Sequence, residues 1–214
     1  MSAWKTVKLG EVVTVTGGVP FKSSDFGESG IPVLKIKNIK PNRLLLNEVE
    51  YVPEDVAAEY PESFLQKGDL LITMTGNRLG GGIDSWVGKV ALFNEERPYC
   101  LNQRVGIIRP NAADSVDIRF LSFALSTSAA QREFVQIATG SGGQANLSPK
   151  QILSVQVPSP PLSEQQTIVH ILGTLPLRRP TQIPARFSAI ISRSTTFCGR
   201  SKTKRLCRST TRAA

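Results

Sequence analysis

Short apolar runs, each closed by glycine or proline, limit how this chain can fold. The segments GDLLITMTG (residues 68–76), GKVALF (88–93) and QRVGIIRP (103–110) are each long enough for one strand and too short for a buried helix. The segment IPVLKIKNI (31–39) alternates apolar and lysine positions, which predicts a strand with one solvated face, and LLLNEVEYV (44–52) is its expected neighbour. Between Val7 and Val15 a strand and a short helix fit equally well. The fold class is therefore predicted as α+β, with a mostly antiparallel sheet and glycine-rich loops.

Helical signals are fewer than strand signals. Apolar residues recur at three- and four-residue steps from Asp117 to Ala138, which predicts one long packed helix. Short helices are expected after Pro53, and after Ser148 with Pro149 in the first turn. A last helix, with Ser163 as its N-cap, has an apolar stripe and breaks at Pro176.

Charge divides the chain at Leu175. Up to that residue there are 16 Lys and Arg against 17 Asp and Glu, whereas the last 39 residues hold 10 basic residues and no acidic one. The formal net charge of +9 is therefore no evidence that the folded part binds a polyanion. We expect a folded domain over 1–160, the start of a further helix over 161–175 and a basic disordered tail over 176–214. Either the tail binds nucleic acid weakly, or it is foreign to the rest of the chain, as after a frameshift.

The residue sets that enzymes need are missing. The single histidine, His170, lies inside the last striped helix, and the glycine-rich segments 76–82 and 139–144 lack the spacing or context of nucleotide-binding loops. Cys100, Cys198 and Cys207 have no spacing typical of a disulfide framework or a zinc site. No apolar run has the length of a signal peptide or a membrane span. We therefore expect a non-catalytic, cytoplasmic protein with no metal site and no membrane partner.

Cationic and amide side chains cluster at places that suit contacts to DNA. Lysine contacts phosphate, arginine pairs with guanine, and asparagine or glutamine pairs with adenine in the major groove. An ordinary solvated surface is the alternative at each place. The candidate DNA-binding residues are Lys35, Lys37, Asn38, Arg43, Asn77, Arg78, Asn102, Gln103, Arg104, Ser141, Gln144 and Asn146.

An ordered series of segments across residues 4–175 resembles the target-recognition domain of type I restriction-modification specificity subunits. The segments are WKTVKLGEV, GGVPF, GIPVLKIKNI, KGDLLIT, LNQRVGIIRP and NLSPKQILSVQVPSPPLSEQQTIVHILGTL. The last is the most telling, because a short strand containing Val-Pro leads through Pro-Pro-Leu into a striped helix. The tail after Leu175 resembles nothing in that family.

The resemblance implies a DNA-recognition role without catalysis. Such subunits each carry two recognition domains joined by long helices, and each domain reads one half of a split site in double-stranded DNA. Modification subunits methylate adenine with S-adenosylmethionine, and a restriction subunit translocates and cuts. ATP and Mg²⁺, like S-adenosylmethionine, are therefore expected on partner subunits, and no cofactor is expected on this chain.

The resemblance also implies which residues contact other subunits. The stripe of the last helix would pack on its counterpart helix and on the modification subunits, and a second copy of the chain is a further expected partner. The subunit-contact residues are Ile168, Val169, Ile171, Leu172 and Leu175. The alternative function is an interaction or regulatory module that keeps the fold and no longer targets DNA.

Overall fold

Thirteen short strands and five helices make up the regular structure in residues 4–77, 86–112 and 115–174, which are the residues that the computed structural model describes. The strands are β1 (Lys5–Lys8), β2 (Val13–Gly17), β3 (Ile31–Leu34), β4 (Ile39–Lys40), β5 (Arg43–Leu44), β6 (Glu50–Val52), β7 (Leu70–Thr73), β8 (Thr75–Asn77), β9 (Val90–Leu92), β10 (Cys100–Leu101), β11 (Val105–Pro110), β12 (Gln144–Asn146) and β13 (Gln156–Ser159). The helices are α1 (Glu54–Ala58), α2 (Ile118–Leu125), α3 (Ser128–Ile137), α4 (Pro149–Ser154) and α5 (Leu162–Thr174). None of these helices is long and apolar enough to cross a membrane.

A four-stranded antiparallel sheet in the order β2-β11-β7-β9 forms the centre of the fold. The paired strands of the described residues are antiparallel everywhere except between β3 and β10. This confirms the predicted α+β class with mostly antiparallel pairing. Of the predicted strands, β7, β9 and β11 lie where the apolar runs placed them, and β11 ends at Pro110 as expected.

The sheet is buried on both faces, which explains its continuous apolar runs. Leu70 and Ile72 of β7 belong to one core cluster with residues of α2, α3, α4 and α5, whereas Leu71 between them belongs to a second cluster with Phe93 and Tyr99. Successive side chains of a strand point to opposite faces, so each of these runs contributes to two cores at once. A strand of this kind shows no alternation of apolar and polar residues.

The predicted long helix over Asp117–Ala138 is wrong, because the chain forms two helices with a break at Ser126 and Thr127. The Thr127 hydroxyl accepts a hydrogen bond from Ala130 N–H at 3.3 Å and so caps α3. Ser126 Oγ donates to Oδ1 of Asn42 at 2.6 Å. Hydroxyl side chains compete with helical hydrogen bonds, and here they end one helix and start the next while the apolar spacing continues.

Two smaller boundaries also differ from the sequence predictions. The strand expected over 31–39 ends at Leu34, where a 3-10 turn of Ile36–Asn38 follows, and β6 pairs with β3 only from Glu50 onward. Helix α5 begins at Leu162, one residue before the predicted cap Ser163. The predicted helices after Pro53 and Ser148 are present as α1 and α4, and Ser148 caps α4 as expected.

The first and last elements of the described chain lie side by side. Strand β1 pairs with β13 along four residues, and the Trp4 indole N–H donates to the Glu164 carboxylate at 2.9 Å. Gln165 of α5 is buried, and its side-chain amide accepts from the N–H of Asp117, which precedes α2, and donates to the Pro160 carbonyl, both at 2.9 Å. Helix α5 therefore starts as part of this core.

We expect Gln165→Met to destabilise the fold by about 1–3 kcal/mol, because it leaves a buried N–H and a buried carbonyl without partners while nearly keeping the side-chain volume. Urea unfolding measures the change. Gln166→Met, on the neighbouring exposed position, is the matched control and should stay within about 0.5 kcal/mol of the parent chain. Equal unfolding free energies for the two variants would contradict this role of Gln165.

Candidate nucleic-acid interface

The four-stranded sheet has one end where the last residues of β2 and β7 meet the first residues of β9 and β11. Gly17 pairs with Gly106, Thr73 with Val105, and Ile72 with Val90. Segments 16–19, 74–77 and 102–104 lie at this end, and segment 139–146 joins them because its strand β12 pairs with β8. We call these four segments together the polar end.

Met74 joins the sheet to the strands beyond it. Its N–H donates to the Arg104 carbonyl at 2.9 Å, and its carbonyl accepts from Leu147 N–H at 2.8 Å. The Thr73 N–H donates in turn to the Lys89 carbonyl at 2.9 Å. The backbone on both sides of Met74 is therefore held, so β8 is a supported continuation of β7.

Strands β8 and β12 form a two-stranded antiparallel ribbon at the polar end. Asn77 pairs with Gln144, Gly76 with Ala145, and Thr75 with Asn146. Ala145 is fully buried in the core, whereas Asn77, Gln144 and Asn146 are exposed. The Thr75 hydroxyl donates to Asn146 Oδ1 across the ribbon at 2.9 Å.

The glycines of 139–144 serve the turn that leads into β12. Gly140 has φ +132°, and a Cβ there would lie 2.4 Å from the Gln144 carbonyl oxygen, so a side chain does not fit. Gln144 N–H closes the turn by donating to the Ser141 carbonyl at 3.2 Å. Ser141 lies on the exposed side of this turn, next to Gln144.

The loop 102–104 is fixed through its backbone, and this leaves its longest side chains in solvent. Asn102 N–H donates to the Leu34 carbonyl at 3.0 Å, and Gln103 N–H donates to the Val19 carbonyl at 2.9 Å. The side chains of Gln103 and Arg104 are exposed, and that of Asn102 is half-buried. The structure thus brings together the predicted residues of 102–104 with Asn77, Ser141, Gln144 and Asn146.

Acidic side chains are absent from the described segments around the polar end. Residues 14–22, 72–77, 86–92, 101–107 and 139–150 contain lysine and arginine but no aspartate or glutamate. At the other end of the sheet Asp69 holds Arg109 through two hydrogen bonds of 2.6 and 2.7 Å, and Lys67 pairs with Glu96. A chain that is nearly neutral up to Leu175 therefore has no carboxylate side chain in the described segments of the polar end.

Lys35 and Lys37 do not share a strand face, which corrects the prediction for them. Lys35 precedes the 3-10 turn Ile36–Asn38 and Lys37 lies within it, and both ammonium groups pair with the Glu50 carboxylate, Lys37 at 2.8 Å. The Lys35 ammonium also lies over the Phe26 ring, 3.6 Å from its centroid. Hydrogen bonds from Lys35 and Lys37 lower the pKa of Glu50 from its ordinary value. Lys35 directly follows Leu34, whose carbonyl accepts from Asn102, so it lies beside the polar end with its charge already compensated.

The prediction that Asn38 contacts DNA is wrong for this conformation. Its side chain is 1% exposed and accepts from Lys35 N–H at 2.9 Å. Its amide also donates to the carbonyls of Leu45 and Glu48, at 2.9 and 3.2 Å. Asn38 therefore ties two turns of its own segment together and has no group left for a ligand.

The remaining candidates divide between the surface and the undescribed part of the chain. Arg43 lies on β5 and its side chain is exposed. Strand β5 lies beside β9, because the neighbouring Asn42 N–H donates to the Val90 carbonyl at 2.9 Å. Arg78 lies outside the described residues, and its predicted role stays a prediction. Thr75 and Thr139 were missed at the sequence level. Thr139 pairs with Asn146 on the side away from Thr75. The spacing of Thr75 and Asn77, two residues apart in one strand, could have indicated that both lie on the same face of β8.

The stripe of α5 packs on its own domain, which corrects the predicted subunit-contact role for three of its residues. Ile168 and Val169 are 8% exposed and Leu172 is 1% exposed, all in the core cluster that contains α2. Ile171 is 40% exposed on the outer face of the helix. Leu175 lies outside the described residues. An open groove of about 430 Å³ between α2 and α5 is lined by Phe123, Val169 and His170 among others.

Within the described residues, no group of three or more His, Cys, Asp or Glu side chains could hold a metal ion. Desolvation raises the pKa of the buried Cys100 thiol, and a hydrogen bond with Ser63 partly offsets this increase. Neither observation indicates a reaction centre. The polar end, by contrast, has the side-chain chemistry of a surface that binds and discriminates.

Comparison with known proteins identifies the family. Residues 1–183 match the family described as type I restriction modification DNA specificity domain. This chain belongs to that family. The specificity domain is 30% identical over 175 residues to the type I restriction enzyme MjaVIII specificity subunit of Methanocaldococcus jannaschii, covering 80% of this chain and 39% of the relative.

Other relatives agree with this assignment. The EcoAI specificity subunit of Escherichia coli is 27% identical over 175 residues, covering 80% of this chain and 28% of its own length. The solved HsdS subunit from Thermoanaerobacter tengcongensis has a TM-score of 0.55 at 21% identity, covering 91% of this chain and 45% of that one, which shows a shared fold. The chain spans about two-fifths or less of the length of these curated relatives.

We expect Asn38→Ala to destabilise the specificity domain by about 2–3 kcal/mol, because one buried N–H loses its partner and two carbonyls lose their donor. Chemical denaturation measures this. Asn47→Ala, at an exposed position of the same segment, is the control and should change stability by less than about 0.5 kcal/mol. A stable Asn38→Ala variant that loses only ligand binding would contradict the structural role.

The Glu50 ion pairs predict a pH-dependent stability difference. The folded-state pKa of Glu50 is lowered, so its contribution is present at neutral pH and is lost as the pH falls through that pKa. Glu50→Gln should therefore cost less than about 1 kcal/mol at pH 7, since the groups are partly solvated, and the cost should vanish in acid. Denaturation at several pH values checks this, with the exposed Glu48→Gln as control. A cost that does not change with pH would exclude the ion pairs as its source.

Proposed function

We propose that this chain recognises a short double-stranded DNA sequence through the polar end, as one half of a split target. The observation that carries the proposal is the combination of exposed amide, hydroxyl and guanidinium side chains with the absence of acids in the described segments there. Amide and guanidinium groups carry the donor and acceptor patterns that distinguish base edges. Membership of the DNA specificity domain family supports the same role.

The distribution of charge supports binding by this end. Double-stranded DNA repels carboxylates, and the ion-paired Asp69 and Glu96 lie at the other end of the sheet, whereas Glu50, beside the polar end, is paired with Lys35 and Lys37. Arg104 extends from a loop that three backbone hydrogen bonds hold in place, at Asn102, Gln103 and Arg104 itself. A rigid support lowers the entropy cost of fixing such a side chain against a ligand.

Catalysis is proposed to reside in other subunits. Modification subunits would methylate adenine with S-adenosylmethionine at the site that this chain selects, and a restriction subunit would translocate and cleave, with ATP and Mg²⁺. The outer face of α5, where Ile171 is exposed, is the surface we propose for a modification subunit or a second copy of the chain. We propose a cytoplasmic location, where DNA and these subunits meet.

Selection from a random duplex pool tests DNA recognition. The full chain is incubated with the pool and excess nonspecific competitor DNA. The competitor occupies the basic residues after Leu175, which would otherwise bind the pool regardless of sequence. Enrichment of one short sequence is expected. Retention of DNA without any enriched sequence would contradict the proposal and favour a module that no longer targets DNA.

We expect Arg104→Ala to make the slope of log affinity against log salt less negative by about 1, because one phosphate contact is lost. Fluorescence anisotropy with the enriched duplex at several salt concentrations measures the slope. Lys67→Ala removes the same charge from the opposite end of the sheet and should leave the slope unchanged. Equal slopes for both variants would place the interface elsewhere.

A further inference from the structure

The ribbon of β8 and β12 has one face in the core and one face in solvent. Cross-strand partners point to the same side, so Gly76 and the fully buried Ala145 share the inner face. The outer face carries four polar side chains in two rows. One row is Thr75 with Asn146, and the other is Asn77 with Gln144.

The two rows differ in what their side chains already bind. In the first row the Thr75 hydroxyl donates to Asn146 Oδ1 at 2.9 Å, and Asn146 is held again through its backbone by two hydrogen bonds with Thr139, of 2.6 and 2.9 Å. In the second row the amides of Asn77 and Gln144 make no side-chain hydrogen bond to another described residue, and both are exposed. The first row fixes the ribbon, and the second row presents its amides to solvent.

The dimensions of the ribbon match the major groove of DNA. Paired strands lie about 4.8 Å apart, and a groove about 12 Å wide admits a two-stranded ribbon. Side chains on directly opposed residues have Cβ atoms about 5 Å apart, within about 2 Å of the rise of about 3.4 Å between successive base pairs. Two opposed amides therefore reach neighbouring base pairs.

The chemistry of the two side chains selects the base. An amide offers one donor and one acceptor side by side, which matches the adenine N6 amino group and N7 in the major groove. Arginine, the usual partner of guanine, is absent from the described residues of the ribbon, Thr75–Asn77 and Gln144–Asn146. We propose that this ribbon enters the major groove and that Asn77 and Gln144 read adenines of neighbouring A·T pairs. This proposal rests on the DNA-recognition function proposed above.

Single-atom substitution in the DNA tests this proposal. Each adenine of the enriched duplex is replaced in turn by 7-deazaadenine, which removes the N7 acceptor and leaves base pairing and the minor groove intact. The parent chain should lose affinity about 5- to 150-fold at one or two neighbouring positions. Insensitivity at every adenine would overturn the proposal.

Variants of the ribbon connect the affected bases to the amides. Asn77→Ala and Gln144→Ala should each weaken binding to the unmodified duplex by a similar factor. Each should show no further loss on the duplex whose 7-deazaadenine faces the removed amide. Gln66→Ala, an exposed amide at the other end of the sheet, should bind as the parent chain does. Losses that are equal on every duplex would overturn the assignment of these amides to adenine.

A separate outcome distinguishes this proposal from the function on which it rests. If the parent chain selects a sequence but Asn77→Ala and Gln144→Ala select the same sequence equally well, DNA recognition stands and the ribbon assignment fails. If the parent chain selects no sequence, both fail. Unfolding curves of the two variants should match the parent chain, because both side chains are exposed.

Discussion

The backbone hydrogen bonds of Met74 couple the rigid part of the domain to the part that we propose reads DNA. Its N–H is bound to the carbonyl of Arg104 and its carbonyl to the N–H of Leu147, so three chain segments meet at one residue. The loop 102–104, the ribbon of β8 and β12, and the start of α4 all take their position from this junction. Discrimination among bases requires side chains held to within a fraction of an ångström, and a sheet buried on both faces provides such a support.

The local parts of the fold could be predicted from the sequence because their causes are local. Strand β11 ends at Pro110, and Ser148 and Gln151 form the capping box of α4, each from residues within a few positions. The break between α2 and α3 was missed because the apolar spacing continues through Ser126 and Thr127. What ends α2 there includes a hydrogen bond to Asn42, a residue far away in the sequence.

The candidate site shows the same division between local and distant causes. Residue type alone identified Asn77, Arg104 and Gln144 as polar loop or strand-edge residues, but their proximity depends on the register of β8 with β12 and on Met74. Asn38 has the same side chain as Asn77, and only burial shows that it serves the fold. For α5, the apolar stripe predicted that a face is covered, whereas its partner, the core around α2, was visible only in three dimensions.

Hydrogen exchange with and without the enriched duplex tests most directly whether the polar end is the DNA-binding surface. The account predicts slower amide exchange on DNA binding in peptides that cover 74–77, 102–104 and 139–146, with little change in peptides that cover 66–69 and 94–97 at the other end of the sheet. Protection confined to 66–69 and 94–97, or exchange that duplex DNA leaves unchanged in all these segments, would contradict it.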